Sequence, residues 1–445
     1  MMFRIVLLAI SFVALLPAGR SEAEVFDPTV FTLANGLQVV VVENHVAPVA
    51  TQMVWYKAGA ADEPVGVSGI AHFLEHLMFK GTKTLAPGEF SRIVARNGGS
   101  ENAFTSVDYT AYFQSFSVDR LDLMMKLEAG RMANLVLGDE VVLPERDVIL
   151  EERRQRIDSD PGAKLAEMAT ATLYLNHPYR IPTIGWEHEM RRLTTEDALA
   201  FYRTWYAPNN AVLVVAGDVD PATVRRLAET HYGPIAARPV PERIRPQEPV
   251  QHAPRRVVLE SSQVRQASWA RRWLAPSYGS DQGQRPYALQ VLAELLGNST
   301  VSRLYRALAV EQKIATDAGT AYSADALDQT AFVVYAAPLP GGDLAQLERA
   351  VDGVIRDLVE NGVGEAEVEQ AKRQLQDRTA LTRDSLQTAP RVIGAALTTG
   401  RTIEEVEAWP DLIGKVTTAE VNAAARALFR PEYSVTSELR PKPTS

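Results

Sequence analysis

Two stretches of this sequence, 223 positions apart, repeat the same order of signals. Each begins with a threonine, Thr194 or Thr417, followed three residues later by an acid, which is the capping pattern of a helix start. Each reaches a proline 14 positions after its threonine, at Pro208 and Pro431, and then enters an apolar, strand-like run. Unless chance produced this echo of one helix-strand unit, the chain is an internal duplication whose halves share one fold.

A proline-rich stretch separates the two halves. Residues 24–238 form the first and residues 255–445 the second, and residues 239–254 between them contain five prolines interleaved with charges. Such a stretch is typical of an extended linker that buries little. Strand-like segments alternate with helix-length ones without a strict βαβ order. We therefore predict an α+β fold with two similar halves, each a mostly antiparallel sheet with helices packed on one face.

Residues 1–23 have the layout of a secretory signal peptide. Arg4 precedes an apolar run over residues 5–16, and small side chains stand three and one positions before a cut after Ala23. The run is shorter than the roughly 20 residues of a membrane-spanning helix, although an uncleaved anchor is the alternative. We expect the mature chain to be periplasmic or otherwise exported, and not to be held in a membrane.

Two features of the composition exclude classes of chemistry. The chain has no cysteine, so disulfides, thiolate metal sites and a cysteine nucleophile are impossible. Its net charge is −9 and it has no basic run, which makes it a poor binder of nucleic acid. Nucleic acid is therefore not expected as a partner.

The segment from Gly69 to Thr82 carries the most informative pattern. As a helix, it places His72, Glu75 and His76 within one arc of about 100°, with the neighbouring apolar residues outside that arc. Two histidines one turn apart suit zinc, and the glutamate beside the second is better placed to touch a zinc-bound water than to join as a ligand. This His-x-x-Glu-His order is that of the inverzincins. A helix with two surface histidines is the alternative.

Catalytic zinc takes a third protein ligand, and periodicity does not identify it. The best candidates lie in residues 144–156, which are compatible with a helix. Glu145 and Glu152 are seven apart there and share a face. Charge-rich helices are usually solvated surfaces, so this pattern alone leaves the ligand open.

The stretch 69–82 resembles the signature of the pitrilysin family of zinc peptidases, which has half-size bacterial members. That family takes its third ligand from a glutamate 76 residues after the second histidine, and Glu152 stands 76 residues after His76. A further family glutamate, seven residues before the ligand, corresponds to Glu145 and supports the site from outside the ligand set. The resemblance implies one Zn2+ per chain, held by His72, His76 and Glu152.

A second motif extends the resemblance. Residues 97–110 are similar to the family's Gly-Gly…Asn-Ala-x-Thr…Asp-x-Thr run. This implies an edge strand that binds the substrate backbone by β-augmentation, with Asn102 and Ala103 nearest the scissile bond. Residues 206–218 are also family-like, and the resemblance is strong over residues 30–220 and weaker beyond.

The second half departs from the family's active members. Those carry an arginine and a tyrosine, seven apart, that stabilise the tetrahedral intermediate. The matching positions here are Ala309 and Thr316, which cannot replace those donors. In some bacterial relatives a partner subunit carries that pair, so the resemblance implies the zinc-bearing subunit of a heterodimer. A homodimer that cleaves alone, and a misplaced gap with Tyr322 serving instead, are the alternatives.

Together these patterns predict a zinc-dependent endopeptidase that hydrolyses peptides or unfolded segments. Glu75 is the expected general base, acting on a zinc-bound water. The alternative class is a non-catalytic assembly or binding subunit with the same fold. The intact set of Glu75, both histidines and Glu152 favours the enzyme, since a decayed site has no reason to keep all four.

Overall fold

A computed structural model of the chain describes residues 25–382 and 385–442. The predicted signal peptide, residues 1–23, lies outside the described residues. Within those two ranges, no helix combines the length and the hydropathy that crossing a bilayer requires.

The described residues form two β-sheets. The strands are β1 (Thr29–Thr32), β2 (Gln38–Glu43), β3 (Val49–Tyr56), β4 (Ser100–Thr105), β5 (Thr110–Ser117), β6 (Ala211–Gly217), β7 (Arg255–Ser261), β8 (Ser268–Ala275), β9 (Ala315–Tyr322), β10 (Thr330–Pro338) and β11 (Ser434–Pro441). The first sheet has the order β1-β2-β6-β3-β5-β4, and the second has the order β7-β11-β8-β10-β9.

The second sheet repeats the first strand for strand, apart from β1. In each sheet one pair is parallel, β2 with β6 and β7 with β11, and the other pairs are antiparallel. If β1 is left out, the last strand of each sheet in sequence order lies between the first two. Thus β6 lies between β2 and β3, and β11 lies between β7 and β8. This confirms the predicted α+β class and the predicted similarity of the halves.

Helices connect the strands of both sheets. They are α1 (Ile70–Leu77), α2 (Glu89–Arg96), α3 (Leu121–Asn134), α4 (Asp139–Arg153), α5 (Pro161–Leu173), α6 (Glu187–Met190), α7 (Thr195–Trp205), α8 (Pro221–His231), α9 (Arg285–Gly297), α10 (Arg303–Tyr305), α11 (Leu344–Asn361), α12 (Glu365–Thr382), α13 (Thr388–Thr398), α14 (Ile403–Glu407), α15 (Trp409–Lys415) and α16 (Thr418–Leu428). Short 3-10 turns and two π-helical segments, Arg154–Asp158 and Arg306–Glu311, complete the described structure.

The repeated signals found in the sequence form the same local structure in both halves. Thr194 caps α7 and Thr417 caps α16, each through a reciprocal capping box with the acid three residues on. A 3-10 turn that starts with proline follows each helix and leads into β6 or β11. The matching threonines and prolines therefore mark equivalent helix-strand units.

Each half packs its own helices on one face of its sheet. The first core joins α1, α3, α7 and α8 to alternate residues of the first sheet, such as Val39, Val41 and Leu213. The second core joins α9, α11, α12 and α16 to the second sheet. These two cores hold most of the buried apolar side chains, and both α1 and α4 contribute residues to the first core.

The other face of each sheet is covered by a helix from the opposite half. Helix α13, which follows β10 in sequence, packs across β3 and β6 of the first sheet, with Ile393 buried among Val40, Val212 and Val214. Gly394 permits this contact, because a Cβ there would lie 2.0 Å from the ring of Trp55. Burial on both faces explains why β2 and β6 are continuous apolar runs.

Helix α5 makes the reciprocal contact on the second sheet. It lies against β7 and β11, and its residues Ala169 and Leu173 share a buried cluster with Val435. Each half thus completes the covering of the other.

The proline-rich stretch 239–254 forms neither helix nor strand and most of its residues are exposed, but several of its charged side chains are bound to the rest of the protein. Arg245 donates to the carboxylate of Asp62 at 2.7 Å, and Arg243 donates to the carbonyl oxygen of Asp108 at 2.9 Å. Glu248 accepts hydrogen bonds from three successive backbone N–H groups that begin at Leu175. The charges interleaved with the prolines therefore attach this stretch to the first half. The domain boundaries chosen from the sequence stay a prediction.

Candidate metal centre

Helix α1 begins where the backbone requires glycine. Gly69, at its N-terminus, has φ 86°, and a Cβ there would lie 2.5 Å from the carbonyl oxygen of Ile184. The apolar face of the helix is fully buried, with Leu74 and Leu77 in the first core. This close contact and this packing fix the direction in which the opposite face presents its polar side chains.

Helix α4 presents two carboxylates to α1. Its apolar residues Val142 and Ile149 are buried in the first core. At its C-terminus, buried Arg153 forms a two-point ion pair with Glu167, at 2.8 and 2.9 Å, and donates to the carbonyl oxygen of Gly185 at 2.9 Å. These contacts hold the end of α4 beside the start of α1.

The three residues predicted as metal ligands, His72, His76 and Glu152, converge. The Nε2 atoms of His72 and His76 lie 3.6 and 3.3 Å from Oε2 of Glu152. One ligand atom from each residue can be chosen so that all three lie within 4.8 Å of one another. No other group of three such residues this close was found among the described residues.

The spacing of these atoms fits a single zinc ion. Protein nitrogen and oxygen ligands bind zinc at about 2.1 Å in tetrahedral geometry, so two of them lie about 3.4 Å apart. The observed 3.3 and 3.6 Å match that separation. Two neutral imidazoles and one carboxylate are also a donor set of the kind that catalytic zinc takes. The residues present therefore fit the metal that the sequence predicts.

The pKa values of the two histidines are shifted in opposite directions. Burial, followed by the charge of His76, lowers the pKa of His72 to about 4, which leaves its ring neutral and its lone pair available. Burial also acts to lower the pKa of His76, but hydrogen bonds with Glu145 and Glu152 outweigh it and raise that pKa to about 9. A divalent cation at the cluster competes with a proton on His76, since zinc binds the neutral imidazole.

Glu145 contacts the ring nitrogen of His76 that faces away from Glu152. Its Oε1 lies 2.9 Å from Nδ1 of His76, and its Oε2 lies 2.5 Å from Nζ of Lys80. A carboxylate on Nδ1 orients the ring and directs Nε2 towards the cluster. His72 has no such support, since its Nδ1 is buried without a hydrogen-bond partner among the described residues.

Glu75 lies in the same space but does not belong to the three-residue cluster. Its carboxylate is buried, and burial raises its pKa, although a hydrogen bond from Thr105 works against the rise. The hydroxyl of Thr105 donates to Oε2 of Glu75 at 2.6 Å. Sequence reasoning did not name Thr105 as a site residue. The alternation of β4 was the available signal, because Thr105 stands two residues after Ala103 and shares its face.

Strand β4 forms the edge of the first sheet beside this cluster. It pairs with β5 on one side only, with Asn102 opposite Phe113 and Ala103 opposite Tyr112. The side-chain oxygen of Asn102 accepts from the backbone N–H of Ala103 at 2.8 Å. The unpaired side of β4 offers backbone donors and acceptors to another chain.

An open cavity of about 950 Å³ joins the cluster to the edge strand. It is bounded by α1, β4, the end of α4, α5 and the loop after Pro178. Its lining residues are His72, Glu75, His76, Asn102, Ala103, Phe104, Thr105, Val107, Glu152, Arg156, Ile157, Ala163, Ala166, Glu167, Thr170, Tyr179, Arg180, Ile181, Pro182, Thr183 and Ile184. All of them belong to the first half.

The second-half positions considered in the sequence lie elsewhere. Ala309 is in the π-helical segment Arg306–Glu311, and Thr316 is near the start of the edge strand β9. The hydroxyl of Tyr322 donates to the carbonyl oxygen of Pro276 at 2.6 Å, which gives it a structural partner. None of these three residues lines the cavity.

Comparison with known proteins places the chain in a family. Residues 38–186 match the family described as Insulinase (Peptidase family M16), and residues 192–375 match the Peptidase M16 inactive domain. The Zinc protease PqqE of Helicobacter pylori is 34% identical over 376 residues, which are 82% of this chain and 83% of that protein. The chain belongs to peptidase family M16.

Other M16 relatives agree over most of the chain. The crystal structure of a protease from Helicobacter pylori has a TM-score of 0.87 at 30% identity, covering 93% of this chain and 99% of that one. A probable mitochondrial-processing peptidase subunit beta from Schizosaccharomyces pombe is 27% identical over 419 residues, which are 89% of this chain and 88% of that protein. The predicted membership of the pitrilysin family is confirmed, and the names of these M16 relatives support a peptidase function.

Proposed function

We propose that this M16 chain is a zinc-dependent metalloendopeptidase that hydrolyses peptides or unfolded protein segments. The observation that carries the proposal is the convergence of His72, His76 and Glu152, whose ligand atoms lie within 4.8 Å of one another beside buried Glu75. The zinc-protease names of its M16 relatives support the same activity.

His72, His76 and Glu152 are the residues that would hold the zinc, and Glu145 would keep His76 in its binding orientation. When bound, zinc supplies a Lewis acid that polarises the scissile carbonyl and makes a nearby water more acidic. The spacing of the three ligand atoms, 3.3 and 3.6 Å between the histidine nitrogens and Oε2 of Glu152, supports a divalent ion there.

Glu75 is the proposed general base. It takes a proton from the attacking water and delivers it to the leaving amine. The hydrogen bond from Thr105 engages one carboxylate oxygen and limits rotation of the group, which leaves Oε1 free to hold the proton. The burial that raises the pKa of Glu75 also makes it a stronger base towards water than an exposed glutamate.

The substrate is proposed to bind as an added strand on β4. The unpaired side of β4 borders the cavity, with Asn102 and Ala103 among its lining residues. Main-chain hydrogen bonds of this kind bind extended peptides with little regard to sequence. This favours unfolded segments as substrates.

A homologous partner subunit is proposed to complete the site. The cavity is open, and the lining residues listed above include none from 255 onwards among the described residues. Ala309 and Thr316 lack donors equivalent to those of active family members. A heterodimer in which the partner supplies them is the proposal, and a homodimer active on its own is the alternative.

Export is proposed from residues 1–23 alone. Their charged start, short apolar run and small residues before Ala23 have the layout of a cleaved signal peptide. The mature protein is then periplasmic or otherwise exported.

The test compares wild type with Glu75→Gln for zinc content and for cleavage of a quenched peptide, with and without the neighbouring family member encoded in the same genome. Stoichiometric zinc in both proteins, with turnover only in wild type, supports the enzyme. Zinc-free protein, or no cleavage in any combination, would reject it in favour of an assembly or binding subunit. Cleavage by the purified chain alone would reject the need for a heterologous partner.

A further inference from the structure

The chain changes its helical geometry directly after Glu152. Helix α4 ends at Arg153, and residues Arg154–Asp158 continue as a π-helical turn. The backbone N–H of Ser159 donates to the carbonyl oxygen of Arg154 at 2.9 Å, five residues back. Single π turns of this kind are rare and are often found at functional sites. The residue in the middle of this one is Arg156.

Arg156 faces the cavity beside the cluster. Its Nη1 lies 2.7 Å from Oε1 of Glu152, the carboxylate oxygen that is turned away from the histidines. Its side chain is 71% exposed and lines the cavity. A guanidinium carries five N–H donors, and Glu152 is the partner of Arg156 among the described residues. Most of its donors are therefore free to bind something that enters the cavity.

Two arginines, Arg156 and Arg180, line the cavity, and Arg156 is the one paired with a residue of the ligand cluster. Glu167 is bound at two points by Arg153. Glu75 accepts from Thr105, and Arg180 donates to the carbonyl oxygen of Leu175. Both arginines keep free donors, but Arg156 is the one that Glu152 holds next to the reacting centre.

We propose that Arg156 is a specificity-determining residue that selects peptides with an acidic side chain near the scissile bond. The inference rests on the proposed function of this site, and it assigns a preferred class of substrate to that function. A carboxylate matches the planar fork of a guanidinium and can bind at two points. The same charge repels lysine and arginine side chains at that position.

Arg154 provides a matched control. It lies in the same turn, its side chain is 69% exposed, and it is also paired with a glutamate, Glu151. It does not line the cavity. Loss of Arg154 therefore removes the same charge from the same segment without removing it from the proposed binding position.

The experiment uses quenched peptides capped at both ends, in pairs that differ only by Glu or Gln at one position near the cleaved bond. At one position, wild type is expected to favour Glu by about fivefold in kcat/KM, the effect of one well-aligned, partly exposed ion pair. Arg156→Gln should remove the preference, Arg156→Lys should keep part of it, and Arg154→Gln should leave it unchanged. Each preference is the ratio of two kcat/KM values measured on the same variant. A loss of zinc from that variant lowers both values equally and leaves the ratio unchanged.

Binding supplies a second measurement that needs no turnover. The same peptides, labelled with a fluorophore, are titrated against Glu75→Gln with and without Arg156→Gln, and anisotropy is read. A Glu preference that depends on Arg156 supports the inference even if no combination of subunits cleaves, an outcome that would reject only the proposed activity. Cleavage with equal rates for Glu and Gln, or a preference that survives Arg156→Gln, would overturn the inference and leave the activity standing.

Discussion

The two halves carry different polar side chains on an equivalent pair of helices. The pair is α1 and α4 in the first half and α9 and α12 in the second. Helix α1 follows β3 and leads to the edge hairpin, as α9 follows β8, and α4 follows α3 as α12 follows α11. In the first half the α1–α4 contact is lined by His72, His76 and Glu152 and opens into a cavity. In the second half α9 is almost wholly buried, and its Glu294 accepts from Arg378 of α12 at 2.7 Å.

The difference lies in how charge is balanced. In the second half the carboxylate of Glu294 meets one guanidinium across the helix contact. In the first half the carboxylate of Glu152 faces two imidazoles at the separation of zinc ligands, an arrangement that a divalent cation can complete. One scaffold therefore supports either a structural ion pair or a metal site, according to the residues presented by two helices.

The largest expected effect is on kcat, because the comparison assigns catalysis to the first half. Glu75→Gln should lower kcat by about 10²- to 10⁴-fold, because the amide cannot accept the proton from water, while zinc content stays that of wild type. The matched change in the second half, Glu294→Gln, should leave kcat unchanged. Peptide turnover and metal analysis of both variants check this. Equal losses in the two would show that the halves do not differ in function.

The next largest effect is expected on zinc affinity, when the carboxylate that supports a metal ligand is removed. Glu145→Gln should weaken zinc binding by about 10- to 100-fold, since it removes the carboxylate that orients His76. Glu140, exposed on the same helix, gives the control, and Glu140→Gln should leave the affinity unchanged. Competition with a chromogenic chelator measures both. Unchanged affinity in Glu145→Gln would mean that packing alone orients the ring.

A smaller effect tests the residue that the sequence reasoning missed. Thr105→Val keeps the shape of the side chain but removes the hydrogen bond to Glu75, so kcat should fall about tenfold with KM and zinc content unchanged. Thr105→Ser retains the hydroxyl and should recover most of the rate. Steady-state kinetics separate the two parameters. A rise in KM alone would assign Thr105 to substrate binding instead.

The smallest effect lies in the second half. Glu294→Gln and Arg378→Gln should each destabilise the protein, and their double-mutant cycle should give a coupling of about 1 kcal/mol, since the guanidinium is half exposed. Denaturant unfolding measures the cycle, and zinc content is the control that should not change. A coupling of zero would show that apolar packing alone closes the α9–α12 contact.

Local patterns were enough to predict local structure. The spacing of His72, Glu75 and His76 predicted α1 and the face on which the three residues lie, because helical periodicity acts within a few residues. The threonine and proline signals predicted α7 and α16 for the same reason. Glu152 could not be found this way, since nothing in its own helix says what that helix packs against, and only the resemblance to a family connected it with His76.

The contacts between the halves were harder to predict. The apolar runs in β2 and β6 indicated burial on both faces, yet the sequence reasoning placed helices on one face only. The missing layer, α13, comes from a distant part of the chain, and its pattern does not name the sheet it covers. The proline-rich stretch was predicted as a linker that buries little, and that pattern did not indicate that Arg243 and Arg245 bind the first half.

The exchange of α5 and α13 has a consequence for how this duplicated chain can be taken apart. A fragment ending at the proline-rich stretch would expose the valines of β2 and β6 to water, and the remaining fragment would lose the cover over β7 and β11. We expect neither fragment to remain a soluble monomer, because each would expose a continuous apolar surface on its sheet. Although its two halves share one fold, each depends on a helix of the other to cover its sheet.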